Sequence, residues 1–115
     1  MSKILYFYEQ NTMLKRNIPI FLSKEGMDIC HISNIYEVDK AIEEFGPKAV
    51  LVNNDSDAVL LSRTTNLPII VVMDNMFNTH ESNKAFQDIK NPVFVRSCND
   101  SLDTILNTAV LATTL

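Results

Sequence analysis

The sequence predicts an α/β fold in which a doubly wound, five-stranded parallel sheet is covered by helices on both faces. Apolar runs of strand length alternate with segments of helical periodicity, and the run from Ala49 to Val52 is apolar at every position. A strand that is apolar on both faces is typical of the middle of a parallel sheet. Asn53, Asn54 and Asp55 follow this strand, at the end where ligands and reacting groups gather in such sheets. The sequence therefore predicts a candidate site at that edge.

Five runs rich in β-branched and aromatic residues are predicted strands. They are residues 4–8, 28–32, 49–52, 67–73 and 93–96. Five segments with apolar residues at helical spacing are predicted helices. They are residues 13–25, 34–45, 57–63, 79–90 and 100–115. Because crossovers between parallel strands are right-handed, the carboxyl ends of the strands are expected to meet at one edge of the sheet.

Capping and breaking residues predict where the first two helices begin. Pro19 disturbs the first helix, which is either kinked near Lys15 or begins only at about Asn17. The kinked, full-length form is favoured. Ser33 or Asn34 is predicted to cap the second helix.

The last two helices are predicted to begin at asparagine or threonine caps. Asn78 or Thr79 caps a helix with few apolar residues, so one of its sides is expected to face solvent. Asn99 is predicted to cap the final helix. Its inward stripe is predicted to be Leu102, Ile105, Leu106, Ala109 and Val110.

Length and charge limit the classes of protein to which the chain can belong. The chain of 115 residues has the length of one domain, residues 1–115. A formal net charge of -4 without a basic cluster argues against nucleic acid as a direct partner. No apolar run is long enough to span a bilayer, and the amino terminus lacks the pattern of a signal peptide. A cytoplasmic protein without a membrane segment is therefore expected.

The residues after the first strand argue against catalysis. Phosphate-binding turns of flavodoxin-type and dinucleotide folds need glycines or clustered hydroxyls at this point. A sugar-transport phosphocarrier would need a cysteine nucleophile there. Residues 9–13 contain neither glycine nor cysteine, and they begin with an acid, Glu9. We therefore expect no enzyme activity and no cofactor.

A resemblance to a known family is carried by four segments, Lys3–Phe7 and residues 24–27, 46–53 and 67–73. Together they resemble the receiver domain of bacterial response regulators. Lys3–Phe7 resembles its first strand, and residues 24–27 resemble the end of its first helix. Residues 46–53 resemble its Pro-Asp-Leu-Ile-Leu-Leu-Asp strand, and residues 67–73 resemble its Ile-Pro-Ile-Ile-Val-Leu-Thr strand. The order of elements matches over essentially all 115 residues. The resemblance implies a receiver, flavodoxin-like architecture with strand order 2-1-3-4-5 and a role in two-component signal transduction.

The functional positions of that family are largely replaced in this chain. Receivers use a phosphoacceptor aspartate, two acids that hold Mg²⁺, a hydroxyl residue and a lysine. In the same order, the matching positions here are Asn53, Tyr8 and Glu9, Met73 and Arg96. A carboxamide is not the nucleophile that forms an aspartyl phosphate, and one matched carboxylate is too few for Mg²⁺. The resemblance therefore implies a degenerate receiver with no metal ion.

Three further expectations concern the same site. The aromatic residue that rotates when receivers switch is replaced by Val93. Arg96 is expected to form a charge-assisted hydrogen bond with Glu9 or Asp74, which would fill the pocket from within. Asp55 is the one candidate for a displaced phosphoacceptor.

The sequence favours an atypical receiver that acts by phosphorylation-independent contact with protein partners in bacterial signalling. Receivers commonly pair through their last strand and helices, so the face formed by residues 79–115 is expected to support a homodimer. Two alternatives remain open. One is a phosphorelay receiver that uses Asp55 with a divalent metal, and the other is a small-molecule sensor that uses the same pocket.

Overall fold

Five parallel strands form one sheet, in the order β2-β1-β3-β4-β5. The strands are β1 (Lys3–Phe7), β2 (Asp28–Ile32), β3 (Ala49–Val52), β4 (Ile69–Met73) and β5 (Val93–Ser97). The computed structural model describes residues 2–7, 17–73, 86–97 and 100–115. The predicted fold class and strand order are confirmed, and each observed strand lies within two residues of its predicted bounds.

Helices cover both faces of the sheet. The described helices are α1 (Asn17–Lys24), α2 (Val38–Phe45), α3 (Asp55–Ser62) and α4 (Leu102–Thr113), and a 3-10 turn, Ile35–Glu37, leads into α2. Side chains of α1 and α4 share one apolar cluster with one face of the sheet, and side chains of α2 and α3 share a second cluster with the other face. None of the helices in these described ranges is long and apolar enough to cross a membrane.

Strand β3 lies at the centre of both clusters. All four of its residues are buried, as the uninterrupted apolar run predicts. Ala49 and Leu51 belong to the cluster of α1 and α4, whereas Val50 and Val52 belong to the cluster of α2 and α3. Since successive side chains of a strand point to opposite faces, a strand buried on both sides has to be apolar throughout.

The second and third helices begin where asparagine side chains accept backbone hydrogen bonds. Asn34 Oδ1 accepts from the backbone N–H of Tyr36 at 2.9 Å, so Asn34 rather than Ser33 is the capping residue. Asn54 Oδ1 accepts from the backbone N–H of Asp57 at 2.7 Å. Helix α3 therefore begins at Asp55, two residues before its predicted start.

Helix α4 differs from its prediction in its cap and in its buried stripe. Ser101 Oγ accepts from the backbone N–H of Thr104 at 3.1 Å, so the cap is Ser101 and the prediction of Asn99 is wrong. Leu102 and Val110 were predicted to point inward, but they are 42% and 45% exposed. Ile105 and Ala109 are buried as predicted, and Thr108 and Ala112 complete the same helical stripe.

Two predicted features lie wholly or partly outside the described residues. The choice between a kinked first helix and a start near Asn17 depends on residues 13–16, which are not among them. The helix predicted from Asn78 or Thr79 to about Lys90 is described only from Phe86 onward. Phe86 is its last helical residue, so this helix ends about four residues earlier than predicted.

Candidate functional site

The carboxyl ends of β3 and β5 bring Asn53 and Arg96 to one edge and one face of the sheet. Val72 of β4 pairs directly with Arg96 of β5. Because Val52 pairs with Val71, the next residue, Asn53, lies level with Val72. Two strand spacings then separate the backbones of Asn53 and Arg96 by about 10 Å. The sheet thus groups these positions as predicted, with a valine between them.

Asn53 is held in a buried, uncharged hydrogen bond. Its Nδ2 donates to the phenolic oxygen of Tyr6 at 2.8 Å. The exposed fractions are only 6% for Asn53 and 3% for Tyr6. The bond connects β1 with the end of β3, the two central neighbours in the sheet. The position that the sequence resemblance matches to the phosphoacceptor therefore carries an amide paired with a phenol.

The Tyr6 ring also contacts the edge strand. Its centroid lies 5.5 Å from that of the His31 ring, and the two planes meet at 61°. An edge-to-face arrangement of this kind is favourable because the positive ring edge meets the negative face. A continuous line of contacts therefore runs from the exposed His31 on β2 through Tyr6 to Asn53.

The Arg96 side chain is fixed against α4. Its Nε donates to Thr108 Oγ1 at 2.9 Å, and its Nη1 donates to the carbonyl oxygen of Val95 at 2.8 Å. The Thr108 hydroxyl in turn donates to the carbonyl oxygen of Thr104 at 2.8 Å. Both hydrogen bonds of the guanidinium to described residues thus go to neutral oxygens. Glu9 and Asp74, the predicted ionic partners, lie outside the described residues.

The three polar residues that follow β3 have different roles. Asn53 makes the buried bond to Tyr6, and Asn54 caps α3 while its Nδ2 donates to Asp57 Oδ2 at 3.1 Å. Asp57 is 5% exposed, so this bond lies in a nearly dry position. Asp55, the predicted alternative phosphoacceptor, is half-buried in the first turn of α3.

Met73 and Val93 occupy opposite ends of neighbouring strands. Met73 ends β4 and pairs with Ser97, whereas Val93 begins β5 and pairs with Ile69. Both side chains pack against the cluster of α2 and α3. Val93 therefore lies at the amino end of its strand, three residues before Arg96, and contributes an aliphatic side chain to the core.

The two residues that the resemblance matches to the acid pair of receivers, Tyr8 and Glu9, lie outside the described residues. Among the residues that are described, no three His, Cys, Asp or Glu side chains come close enough together to hold a metal ion.

Sequence reasoning missed two residues of this site, Tyr6 and Thr108. Tyr6 lies two residues before the position matched to the acid pair, and its hydroxyl reaches the Asn53 amide. Thr108 is the polar member of the buried stripe of α4. A polar residue at a helical core position was the available signal, because a buried hydroxyl requires a partner.

One solved structure with a similar fold is a receiver domain. The crystal structure of the Klebsiella pneumoniae RstA BeF3-activated N-terminal receiver domain has a TM-score of 0.72 and 15% sequence identity. The match covers 99% of this chain and 100% of that chain. No protein-family model matches the sequence, and no curated protein matches it. The likeness in three dimensions therefore shows the receiver-type fold.

Replacing Tyr6 with Phe tests the buried pair. The variant removes the acceptor of the Asn53 amide without changing the volume of the ring. We expect the free energy of unfolding to fall by about 1–3 kcal/mol, as for other buried donors that lose a partner. Urea denaturation measures this, with Tyr36→Phe as the matched control because Tyr36 is 90% exposed. Equal losses in the two variants would contradict the assigned role of Tyr6.

A double-mutant cycle tests the contact between Arg96 and Thr108. Arg96→Ala and Thr108→Val should each destabilise the fold. Their effects should be non-additive by about 0.5–3 kcal/mol, because both substitutions remove the same hydrogen bond, from Arg96 Nε to Thr108 Oγ1. The control cycle combines Arg96→Ala with Thr113→Val, since the Thr113 hydroxyl bonds only within α4. Strict additivity in both cycles, measured by denaturant unfolding, would show that the contact contributes nothing to stability.

Proposed function

We propose that the chain is an atypical receiver that works in bacterial signal transduction by protein contact, without taking up a phosphoryl group. The observation that carries the proposal is the buried hydrogen bond from Asn53 to Tyr6 at the carboxyl edge of the sheet. It supports the proposal because the edge used for phosphoryl chemistry in receivers here holds a neutral amide that is hydrogen-bonded to a phenol. The proposed partners are proteins of a two-component system in the cytoplasm.

The chemistry of an acyl phosphate explains why this pair matters. Formation of the phosphate needs a carboxylate oxygen that attacks phosphorus, and an amide does not supply that nucleophile. A hard divalent cation prefers several oxygen ligands, more than one of them anionic. Asn53 offers one neutral oxygen, and the guanidinium of Arg96 is bonded to α4. These residues favour a fixed surface over a reacting centre.

A second copy of the chain is the first partner that we propose, through the face formed by residues 79–115. Within the described part of that face, Leu111 is 50% exposed, and Leu115, which follows the end of α4, is 70% exposed. Leu111 also lines a cavity of about 200 Å³ together with Arg96 and Asn107. Exposed apolar side chains beside a concave surface suit an isologous contact, in which each copy buries the same patch.

Exposure to phosphoryl donors tests the proposed mechanism. The protein is incubated with acetyl phosphate and Mg²⁺ and its intact mass is measured, and beryllofluoride is added to a second sample for NMR. We expect no stoichiometric adduct and no saturable shifts. The RstA receiver domain, described as BeF3-activated, is the positive control. An adduct that disappears in Asp55→Asn would overturn the proposal in favour of the displaced phosphoacceptor.

Charge substitutions test the proposed dimer. Light scattering after gel filtration should give a dimer mass for the unmodified chain and a monomer mass for Leu111→Lys, because the new ammonium would lie near Arg96 and its copy. Leu60→Lys is the control, since Leu60 is 39% exposed on α3, on the opposite side of the sheet. A monomer for the unmodified chain at all concentrations would refute self-association and leave the phosphoryl test unaffected.

A further inference from the structure

A groove separates the edge strand β2 from α2, away from the site around Asn53. Its volume is about 340 Å³, and its walls come from residues 30–32 of β2 and one stripe of α2. Strand β1 lies between β2 and β3 in the sheet, so the groove is separated from Asn53 by a whole strand. A concave volume of this size is at the lower end of the range found for binding sites.

The floor of the groove is apolar. Ile32 is buried there, and Ala41 and Phe45 are half-buried. The Phe45 ring already contacts one cation, because Lys3 Nζ lies 5.2 Å from its centroid and donates to the Phe45 carbonyl oxygen at 3.1 Å. The remaining apolar surface suits the methylene stems of lysine and arginine side chains. These stems pack on apolar surface while the charged groups stay in water.

Two exposed carboxylates line this floor. Glu37 and Glu44 belong to the lining, and neither forms an ion pair with any residue that the structure describes. Lys40 is the one cation of the lining and lies between them along the helix. Over residues 37–45, four acids and one lysine leave a formal charge of -3, most of the net -4 of the whole chain. The groove therefore carries negative charge above an apolar floor.

We propose that this groove binds an extended, basic segment of a partner protein, with two arginine or lysine side chains three residues apart. Glu37 ends the 3-10 turn that leads into α2, and Glu44 lies seven residues later, which corresponds to about 10 Å at the rise of an α-helix. In a polyproline II segment, side chains three residues apart lie on the same side and are separated by about 9 Å. The two cations would meet the two carboxylates, and the residues between them would cover Ala41.

The inference is independent of the proposed function. It depends on neither Asn53 nor the α4 face, which lies on the opposite side of the sheet. A nucleic acid would not suit the groove, because phosphates would meet Glu37 and Glu44. The proposed occupant is therefore a protein segment. The groove defines the sign of its charge and the spacing between its two cationic side chains.

Titration with short peptides tests the proposal directly. The probe is the blocked pentapeptide Arg-Pro-Leu-Arg-Pro, followed by NMR of the ¹⁵N-labelled full chain at low ionic strength. Saturable shifts should concentrate on the amides of Cys30, Ala41 and Phe45. Two further peptides are controls: Glu-Pro-Leu-Glu-Pro reverses the charge, and Arg-Arg-Pro-Leu-Pro keeps the charge and changes the spacing. Both should bind more weakly.

Substitutions on α2 and in the 3-10 turn before it separate the groove from a general effect of negative charge. Glu37→Gln and Glu44→Gln should each weaken binding of the first peptide by about two- to fivefold, as expected for exposed charge pairs. Lys40→Gln should strengthen binding, because it removes the competing cation. Glu43→Gln is the matched control, since Glu43 is exposed on the same helix but does not line the groove.

Several results would overturn the proposal. They are equal weakening by Glu43→Gln and Glu44→Gln, equal affinity for both arginine spacings, shifts spread over the acidic surface, and no binding at any peptide concentration. Each is distinct from a failure of the phosphoryl or dimer tests, because the same variants can be examined by mass spectrometry and light scattering. A groove variant should leave both of those results unchanged.

Discussion

The hydrogen bond between the Asn53 amide and the Tyr6 hydroxyl connects the two central strands at the edge where their apolar pattern ends. Both groups are almost completely buried, so each would lose free energy if the other were absent. Because the pair is neutral, no counter-charge or cation is required to keep it inside the protein. The two buried side chains are thus hydrogen-bond partners of one another at the carboxyl end of β3.

The fold followed from the sequence because its main signals are local. Strand β3 is apolar at each position, and the segments around it alternate between strand and helix patterns, which leaves little choice of architecture. The site was harder to predict because its contacts depend on register and on helix rotation. The grouping of Asn53 with Arg96 followed from strand order, but the bond to Tyr6 depends on which residues of β1 and β3 share a face. A rotation of the buried stripe of α4 likewise decided that Thr108 receives Arg96 and that Leu102 and Val110 face outward.

The surfaces available for partners lie on the two sides of the sheet. The exposed leucines of α4 belong to one side, and the acidic stripe of α2 belongs to the other. Their chemistry also differs, since one combines aliphatic side chains with an arginine and the other combines an aromatic floor with carboxylates. Under the two proposals, a second copy of the chain would occupy the α4 side and a basic segment of a partner would occupy the α2 side, and neither contact would pass through the edge that contains Asn53.

Under the proposed function, the amide at position 53 also sets the timescale of the signal. In a receiver that is phosphorylated, hydrolysis of the acyl phosphate ends the active state and so limits its duration. A carboxamide that is hydrogen-bonded to a phenol carries no phosphoryl group whose hydrolysis would end the active state. The duration of each complex would then follow from its dissociation rate, and the strength of the output from the cellular abundance of the module and its partners. Synthesis and turnover of the polypeptide would take the place of kinase and phosphatase.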